Sequence, residues 1–342
     1  MDQHQDCLSR RQFVLGAGLT SGALLMGCGR LPWQAQPSAK IPRIGYLGLG
    51  SSSGPNPGVE AFRQGLRDLD YIEGQNIVVE YRLADGRAER LPGFAAELLQ
   101  LPVDVLYTSS TPAALVAKDA TASTPIVITA LGDPVALGIV ASLSRPGGNV
   151  TGVSNLAQQL SGKRLELLRD TLGGISRVAV LVNAAVADTA VELRETERAA
   201  QVLGIELQIV LVRGLEEFEG AFARMAEAGA EALSVLEDAL LGTLATGATP
   251  IVTLAARHRL PAIYSLREMV DRGGLMAYGA SFIDAHRRAA AYVDKLLKGA
   301  KPADLPVEQP MRFEFVVNMK TAQALGITFP NDILLQVTEV IQ

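Results

Sequence analysis

The sequence has few of the residues that bind metals or form disulfides. Its 342 residues include two cysteines, Cys7 and Cys28, and three histidines, His4, His258 and His286. Zinc and iron sites in proteins usually take several of their ligands from these two residue types. The counts therefore disfavour a metalloenzyme built on histidine or cysteine ligands. We expect no metal and no cofactor.

Clusters of basic side chains are also missing. The chain has 31 lysines and arginines against 36 aspartates and glutamates, a formal net charge of −5, and no block of Lys or Arg. Proteins that bind nucleic acid use clustered basic side chains to neutralise phosphates. Nucleic acid is therefore not an expected partner. The length predicts about two domains, and 48% hydrophobic with 20% charged residues is typical of a globular protein.

Catalytic constellations are equally sparse. A Ser-His-Asp triad would need His258 or His286, and both stand beside arginines in predicted helices. The glycine-rich residues 48–54 superficially resemble a dinucleotide fingerprint, but Pro55 and Pro57 interrupt their approach to the next helix. The sequence gives little support to an enzyme. A Rossmann-type enzyme that binds a nucleotide at residues 48–54 is kept as the alternative.

The N-terminus has the pattern of an export signal. Arg10 and Arg11 precede an uncharged run, residues 13–26, which is shorter than the roughly 20 residues of a membrane-spanning helix. Residues 9–14 resemble a twin-arginine motif, and residues 25–28 resemble a lipobox that ends at Cys28. We therefore predict a signal peptide at residues 1–27, lipidation of Cys28, a tether at residues 28–40, and a lipid-anchored protein of the periplasm or cell envelope. A chance arginine pair before a buried helix with an inert thiol is the alternative.

From residue 41 onwards, short β-branched runs alternate with helical stretches. This alternation is typical of βαβ units and a mostly parallel sheet, and it restarts near residue 177. The sequence therefore predicts an α/β protein with two open lobes in tandem and a cleft between them. One of the predicted helices covers residues 134–143.

The residues that follow the predicted strands are candidates for ligand binding, because ligands of open parallel sheets bind outside the carboxyl ends of the strands. They are rich in hydroxyl groups in the first lobe and in carboxylate, amide and tyrosine groups in the second. The candidates are Ser51, Ser52, Ser109, Ser110, Thr111, Asp133, Asn183, Asp238, Tyr264 and Tyr278.

Each candidate also has a structural interpretation. Thr111 can cap the helix that starts there while Ser109 and Ser110 serve a ligand. Asp133 can cap the next predicted helix, face a ligand ammonium, or do both. A tyrosine such as Tyr264 can serve packing, and Glu237 and Asp238 can be solvated loop charges. For a zwitterionic solute, the hydroxyls and helix-start amides would hold the carboxylate, an aspartate would face the ammonium, and the tyrosines would pack on the side chain.

Seven short strings in order carry a resemblance to a known family. They are FRQGL at residues 62–66, EGQN at 73–76, TPAA at 111–114, GDPV at 132–135, RPGGNVTGV at 145–153, KRLELL at 163–168 and AARHRLP at 255–261. With them, the chain resembles the ABC-transporter substrate-binding proteins of the family that includes tryptophan/tyrosine transport components. The resemblance extends from residue 43 to the C-terminus.

The resemblance implies a two-lobed type I periplasmic-binding-protein fold, in which hinge crossovers near residues 154, 279 and 307 join two open sheets. It implies that lobe 1 comprises residues 41–155 and 281–306, and lobe 2 residues 156–280 and 307–342. The implied function is a monomeric receptor that closes on a small polar solute, such as an amino acid, and delivers it to a membrane permease with an ATPase. A receptor that signals to a membrane partner is a further alternative.

Overall fold

Two sheets organise the residues that the structure describes. The structure is a computed structural model, and it describes residues 40–53, 56–155, 157–184, 188–238, 241 and 248–342. The predicted signal peptide, Cys28 and nearly all of the predicted tether lie outside the described residues. Within the part of the chain that is described, every helix is too short or too polar to span a lipid bilayer.

Sheet 1 is formed by the N-terminal strands β1 (Arg43–Gly48), β2 (Val78–Leu83), β3 (Val105–Thr108), β4 (Ile126–Leu131) and β5 (Val150–Ser154). They are parallel, in the order β2-β1-β3-β4-β5. Sheet 2 contains β6 (Arg177–Asn183), β7 (Glu206–Val212), β8 (Ala232–Val235), β9 (Ala262–Tyr264), β10 (Met276–Ala280), β11 (Phe313–Asn318) and β12 (Glu339–Ile341). Its order is β12-β11-β10-β9-β8-β6-β7, and β10 and β11 are antiparallel.

The described helices flank these sheets. They are α1 (Pro57–Arg67), α2 (Leu91–Gln100), α3 (Thr111–Ala120), α4 (Ala157–Thr171), α5 (Asp188–Leu203), α6 (Phe218–Glu227), α7 (Ala248–Arg257), α8 (Arg267–Asp271), α9 (Phe282–Leu297), α10 (Met319–Leu325) and α11 (Asn331–Leu334). Short 3-10 turns lie at Ala88–Arg90, Leu215–Glu217 and Pro302–Asp304. The α/β class with mostly parallel sheets is confirmed.

Strands β1, β3 and β5 of sheet 1 are buried on both faces, as expected for a parallel sheet covered by helices, whereas the edge strand β2 is partly exposed. Ile44 and Tyr46 of β1 contribute to a core with Phe62 of α1. Leu47, which points to the other face, belongs to a second core with Leu98 of α2. Side chains that alternate along one strand therefore fix helices on both sides.

Helix α9 belongs to the layer of sheet 1, although it directly follows β10 of sheet 2. It packs against α1 and β4. Gly65 of α1 makes this packing close, because a Cβ added there would lie 2.4 Å from the carbonyl oxygen of Arg287. The chain thus passes between the sheets after β5, after β10 and again after α9. The exact lobe boundaries stay a prediction.

Backbone hydrogen bonds connect these passages with one another. Ser154 N donates to Glu308 O at 2.8 Å, and Glu308 N donates to Gly152 O at 2.9 Å. Ser281 N donates to Arg312 O at 3.2 Å. The segments that leave β5, enter α9 and return to β11 therefore run side by side, which is the arrangement expected of a hinge.

The predicted helix at residues 134–143 is wrong, because the chain forms turns there. Asp133 Oδ1 accepts hydrogen bonds from Val135 N at 2.9 Å and from Ala136 N at 3.0 Å. Gly138 has a φ of 66°, in the left-handed region. A capping carboxylate begins a turn as readily as a helix, and the left-handed glycine ends it before a helix forms.

Candidate ligand-binding site

The loop after β1 is attached to the loop after β2. Ser52 donates from its backbone N and from its Oγ to Asp85 Oδ1, at 2.7 and 2.8 Å. Arg90 forms an ion pair with the same carboxylate at 3.0 Å. These contacts, the Ser52 backbone N–H first among them, lower the pKa of Asp85. The loop is therefore held in one position, and the Ser52 hydroxyl already has an acceptor.

The hydroxyl groups after β3 have separate tasks. Ser109 is partly exposed, and its Oγ accepts a hydrogen bond from Tyr46 Oη at 3.3 Å. Ser110 is the N-cap of α3, because its Oγ accepts from Ala113 N at 3.4 Å and its backbone is extended. Thr111 is the first helical residue, so the interpretation of Thr111 as the cap is corrected. Of these three hydroxyl residues, Ser109 is partly exposed, whereas Ser110 and Thr111 are buried.

Two further candidates of the first lobe hold turns. Ser51 Oγ donates to Ser53 O at 2.5 Å within its own turn. Asp133 caps the turn after β4 through Val135 and Ala136, as described above, and its side chain is partly buried. The cap that the sequence predicted for Asp133 is thus present, although it begins a turn instead of a helix.

In sheet 2, Asn183 and Asp238 lie together at the ends of two neighbouring strands. Asn183 closes β6, and its Nδ2 donates to Asp238 Oδ1 at 2.6 Å. Thr189 Oγ1 donates to the backbone oxygen of Asn183 at 2.8 Å, which connects the end of β6 with the first turn of α5. The structure therefore brings two predicted site residues into direct contact.

A buried ion cluster supports this edge of sheet 2. Arg164 of α4 is 1% exposed, and its Nη1 lies 2.7 Å from Glu192 Oε1 of α5. Its Nη2 lies 3.9 Å from Glu237 Oε2, and its Nε donates to Tyr278 O at 2.8 Å. Glu237 N donates to Glu192 Oε2 at 3.0 Å. Two carboxylates share one guanidinium here, and Asp238 is next in the chain, so these described side chains together carry more negative than positive charge.

The site residues predicted from the sequence do not include Arg164 and Glu192. Both lie in the middle of helices instead of after strands. A signal was present in α4, where Arg164 directly precedes Leu165 and lies four residues before Leu168, both fully buried. A charged residue on the apolar face of a helix requires a buried partner, and this pattern could have identified it.

The two tyrosines of sheet 2 differ in position. The Tyr264 ring is 1% exposed and lies in a core with Val252, and its Oη has no hydrogen-bond partner among the described residues. Burial raises its pKa. The expectation that Tyr264 packs on a ligand is therefore corrected. Tyr278 is partly exposed and lies beside Phe313 and Phe315, with ring centroids 6.5 and 6.0 Å away.

His286, one of the two histidines considered for a triad, belongs to the core between α1 and α9. Its Nδ1 lies 2.9 Å from Phe282 O, and burial lowers its pKa to about 4. Its ring is neutral at pH 7 and contacts the aromatic rings of Tyr107 and Phe282. The described residues contain no group of three or more His, Cys, Asp or Glu side chains placed to hold a metal ion.

Comparisons with known proteins agree on one type of protein. Residues 54–341 match the sequence model of a family described as ABC transporter substrate binding protein. A tyrosine-binding protein of Clostridioides difficile (strain R20291) is 26% identical over 319 residues, which cover 91% of this chain and 90% of that protein.

Two solved structures superpose on nearly all of this chain. A conserved domain protein from Vibrio cholerae O1 biovar eltor superposes with a TM-score of 0.80 at 27% identity, covering 88% of this chain and 100% of that chain. An ABC domain in complex with L-Trp from Streptococcus pneumoniae superposes with a TM-score of 0.78 at 27% identity, covering 87% and 100%.

Proposed function

Because the chain belongs to the family of ABC transporter substrate-binding proteins, we propose that it is the extracytoplasmic solute receptor of an ABC import system. It captures a small polar solute at the facing strand ends of its two sheets and delivers it to a membrane permease driven by an ATPase. The observation that carries the proposal is the polar edge of sheet 2, where Asn183, Asp238 and Glu237 meet. Asn155, directly after β5 of sheet 1, contacts this edge.

We propose an amino acid as the solute, with an aromatic side chain as the first choice. The names of two relatives support this choice, since one is a tyrosine-binding protein and the other is a complex with L-Trp. The charge pattern agrees with a zwitterion. The excess negative charge at Glu237 and Asp238 suits an ammonium group, and the Ser109 hydroxyl with the amino-terminal end of α3 suits a carboxylate.

Calorimetric titration of the full chain tests this proposal, after unfolding and refolding to remove any ligand that copurifies. L-Tyrosine and L-tryptophan are titrated first, followed by the other amino acids, sugars and purines. We expect saturable binding of an aromatic amino acid. Saturable binding of a sugar or a purine, with no response to amino acids, would exclude the amino acid. No binding of any solute class would contradict the receptor function.

A charge variant tests the ammonium contact. We expect Asp238→Asn to weaken binding at least tenfold, or about 1.4 kcal/mol, because the substitution removes the charge and keeps the shape. Asp119→Asn, at an exposed position near the end of α3, is the matched control and leaves the affinity unchanged. Equal affinities of the two variants would remove Asp238 from the ligand site.

A further inference from the structure

One side-chain contact joins the strand ends of the two sheets beside the hinge. Asn155 is the first residue after β5, where the chain leaves sheet 1, and Glu237 lies two residues after β8 of sheet 2. Asn155 Nδ2 donates a hydrogen bond to Glu237 Oε1. Asn155 is buried, and the Glu237 side chain is 16% exposed. The bond to a charged acceptor is thus largely shielded from water, which strengthens it.

Glu237 is held in place by the ion cluster of sheet 2. Its backbone N donates to Glu192 Oε2 at 3.0 Å, and its second carboxylate oxygen lies 3.9 Å from Arg164 Nη2. Arg164 is also bonded to the backbone of Tyr278 in β10, the strand that leads into the second passage between the sheets. One buried guanidinium therefore fixes both the acceptor of the inter-sheet bond and a strand that enters the hinge.

The donor side is fixed to sheet 1. Ser154, which precedes Asn155, donates from its Oγ to Gly132 O at 2.8 Å and from its N to Glu308 O at 2.8 Å. Asn155 therefore directly follows a residue that is fixed to sheet 1, while Glu237 belongs to the bonded cluster of sheet 2. We expect a rotation of one sheet against the other to change the distance between the two side chains.

We propose that Asn155 and Glu237 form a latch that stabilises the closed arrangement of the two sheets, and that Arg164 and Glu192 are positioning residues that hold Glu237 for it. The inference rests on the proposed function, because a closed state serves a receptor that captures a solute. A ligand that binds only the closed state has an apparent affinity equal to its intrinsic affinity multiplied by the fraction of molecules that are closed. Loss of the Asn155 amide therefore lowers affinity by reducing the closed fraction, while the carboxylates of Glu237 and Asp238 stay in place.

The test measures the distance between the two sheets by pulsed electron paramagnetic resonance of two spin labels. The labels are attached through Asp119→Cys in α3 and Glu197→Cys in α5, both exposed, in a full chain with Cys7→Ser and Cys28→Ser. Those two serine substitutions remove both native thiols. Distances are recorded without ligand and with L-tryptophan as the probe.

Asn155→Ala is expected to move the ligand-free distribution towards longer distances and to weaken binding of L-tryptophan about tenfold, mainly through faster dissociation. Asn76→Ala is the matched control, because that amide donates to Asp70 O, far along the chain from the hinge. This control should leave the distribution of distances between the spin labels unchanged. Glu237→Ala acts like Asn155→Ala, whereas Glu237→Gln, which keeps an acceptor for Asn155, restores most of the short distances.

The double variant Asn155→Ala/Glu237→Ala is expected to match either single variant, because both remove the same bond. A purely structural role of Asn155 would lower the melting temperature and leave the distances in the folded protein unchanged, and that result would overturn the latch. Unchanged distances with normal binding of L-tryptophan overturn the latch and leave the proposed function intact. Shifted ligand-free distances without binding of any solute support the latch and contradict the proposed function.

Discussion

A polar side chain at the end of a strand can lie at the surface or in the core, and the two tyrosines of sheet 2 show both positions. Side chains alternate along a strand, so Tyr264 shares its face of β9 with Ala262, which is also buried in the core. Tyr278 of β10 lies on the face of Met276 and remains partly exposed. Residue type and position after a strand therefore do not identify a ligand contact without the direction of the side chain.

Tyr264→Phe tests this assignment. The Tyr264 hydroxyl is buried without a hydrogen-bond partner among the described residues, and burial of such a group costs about 1–3 kcal/mol. We expect the substitution to raise the free energy of unfolding by about 1 kcal/mol and to leave ligand affinity unchanged. Urea denaturation and calorimetric titration measure the two quantities.

Tyr46→Phe is the matched control, because the Tyr46 hydroxyl donates to Ser109 Oγ at 3.3 Å. Its loss should lower the free energy of unfolding by about 0.5–1.5 kcal/mol, the usual net contribution of one hydrogen bond. A loss of stability or of ligand affinity in Tyr264→Phe would show that the Tyr264 hydroxyl has a partner in the folded protein.

Among the elements, the contact of α1 with α9 shows how one small residue fixes two helices. An added Cβ at Gly65 would lie 2.4 Å from Arg287 O and 2.8 Å from Ala290 Cβ. The first of these is a backbone atom, which cannot move without shifting α9. The backbones of the two helices therefore approach at a distance that only glycine allows at this position.

Gly65→Ala should lower the free energy of unfolding by about 1–3 kcal/mol, the usual cost of overpacking a core. Gly93→Ala, in α2, is the matched control, because its added Cβ would meet open space among the described residues. In the control, the free energy of unfolding should rise by about 0.5–1 kcal/mol, because alanine has a better helix propensity than glycine. Similar changes in both variants, measured by urea denaturation, would contradict the close packing of α1 on α9.

The sequence predicts elements well where local signals agree with tertiary packing. The predicted bounds of α5, α9 and α10 agree with the structure, because each helix has both a clear apolar period and a polar start. The segment at residues 134–143 has a polar start, Asp133 and Pro134, but the left-handed backbone of Gly138 prevents a helix from forming. Helices and turns share the same local start signals, so the sequence could not distinguish a helix from a turn at this segment.

The candidate site was predictable only in part for a related reason. Asn183 and Asp238 were predicted from their place after strands, and they are in contact. Arg164 and Glu192 were not predicted, because their charges become important only when α4 and α5 pack together and bury them. The partners of a buried charge are set by tertiary structure, which the local pattern does not contain.

For the whole molecule, the predicted family resemblance and the type I periplasmic-binding-protein fold are confirmed. The match over residues 54–341 and the superposition on two solved structures at 27% identity carry these conclusions. Two sheets connected by adjacent passages have the arrangement expected of a hinge. The N-terminal predictions concern residues outside the described structure and stay predictions.

The lipid anchor is tested with the two cysteines of the chain, which are natural controls for each other. If Cys28 becomes the acylated N-terminus, its acyl chains hold the protein on a membrane, since each buried CH₂ contributes about 0.8 kcal/mol. Cys28→Ser should then move the protein from the membrane fraction to the soluble fraction and abolish incorporation of labelled palmitate. Cys7→Ser should change neither, because Cys7 lies in the segment predicted to be removed. A wild-type protein in the soluble fraction, or the same fractionation and labelling of the two variants, would contradict the anchor at Cys28. Neither result would affect the proposed solute binding, which the titration tests separately.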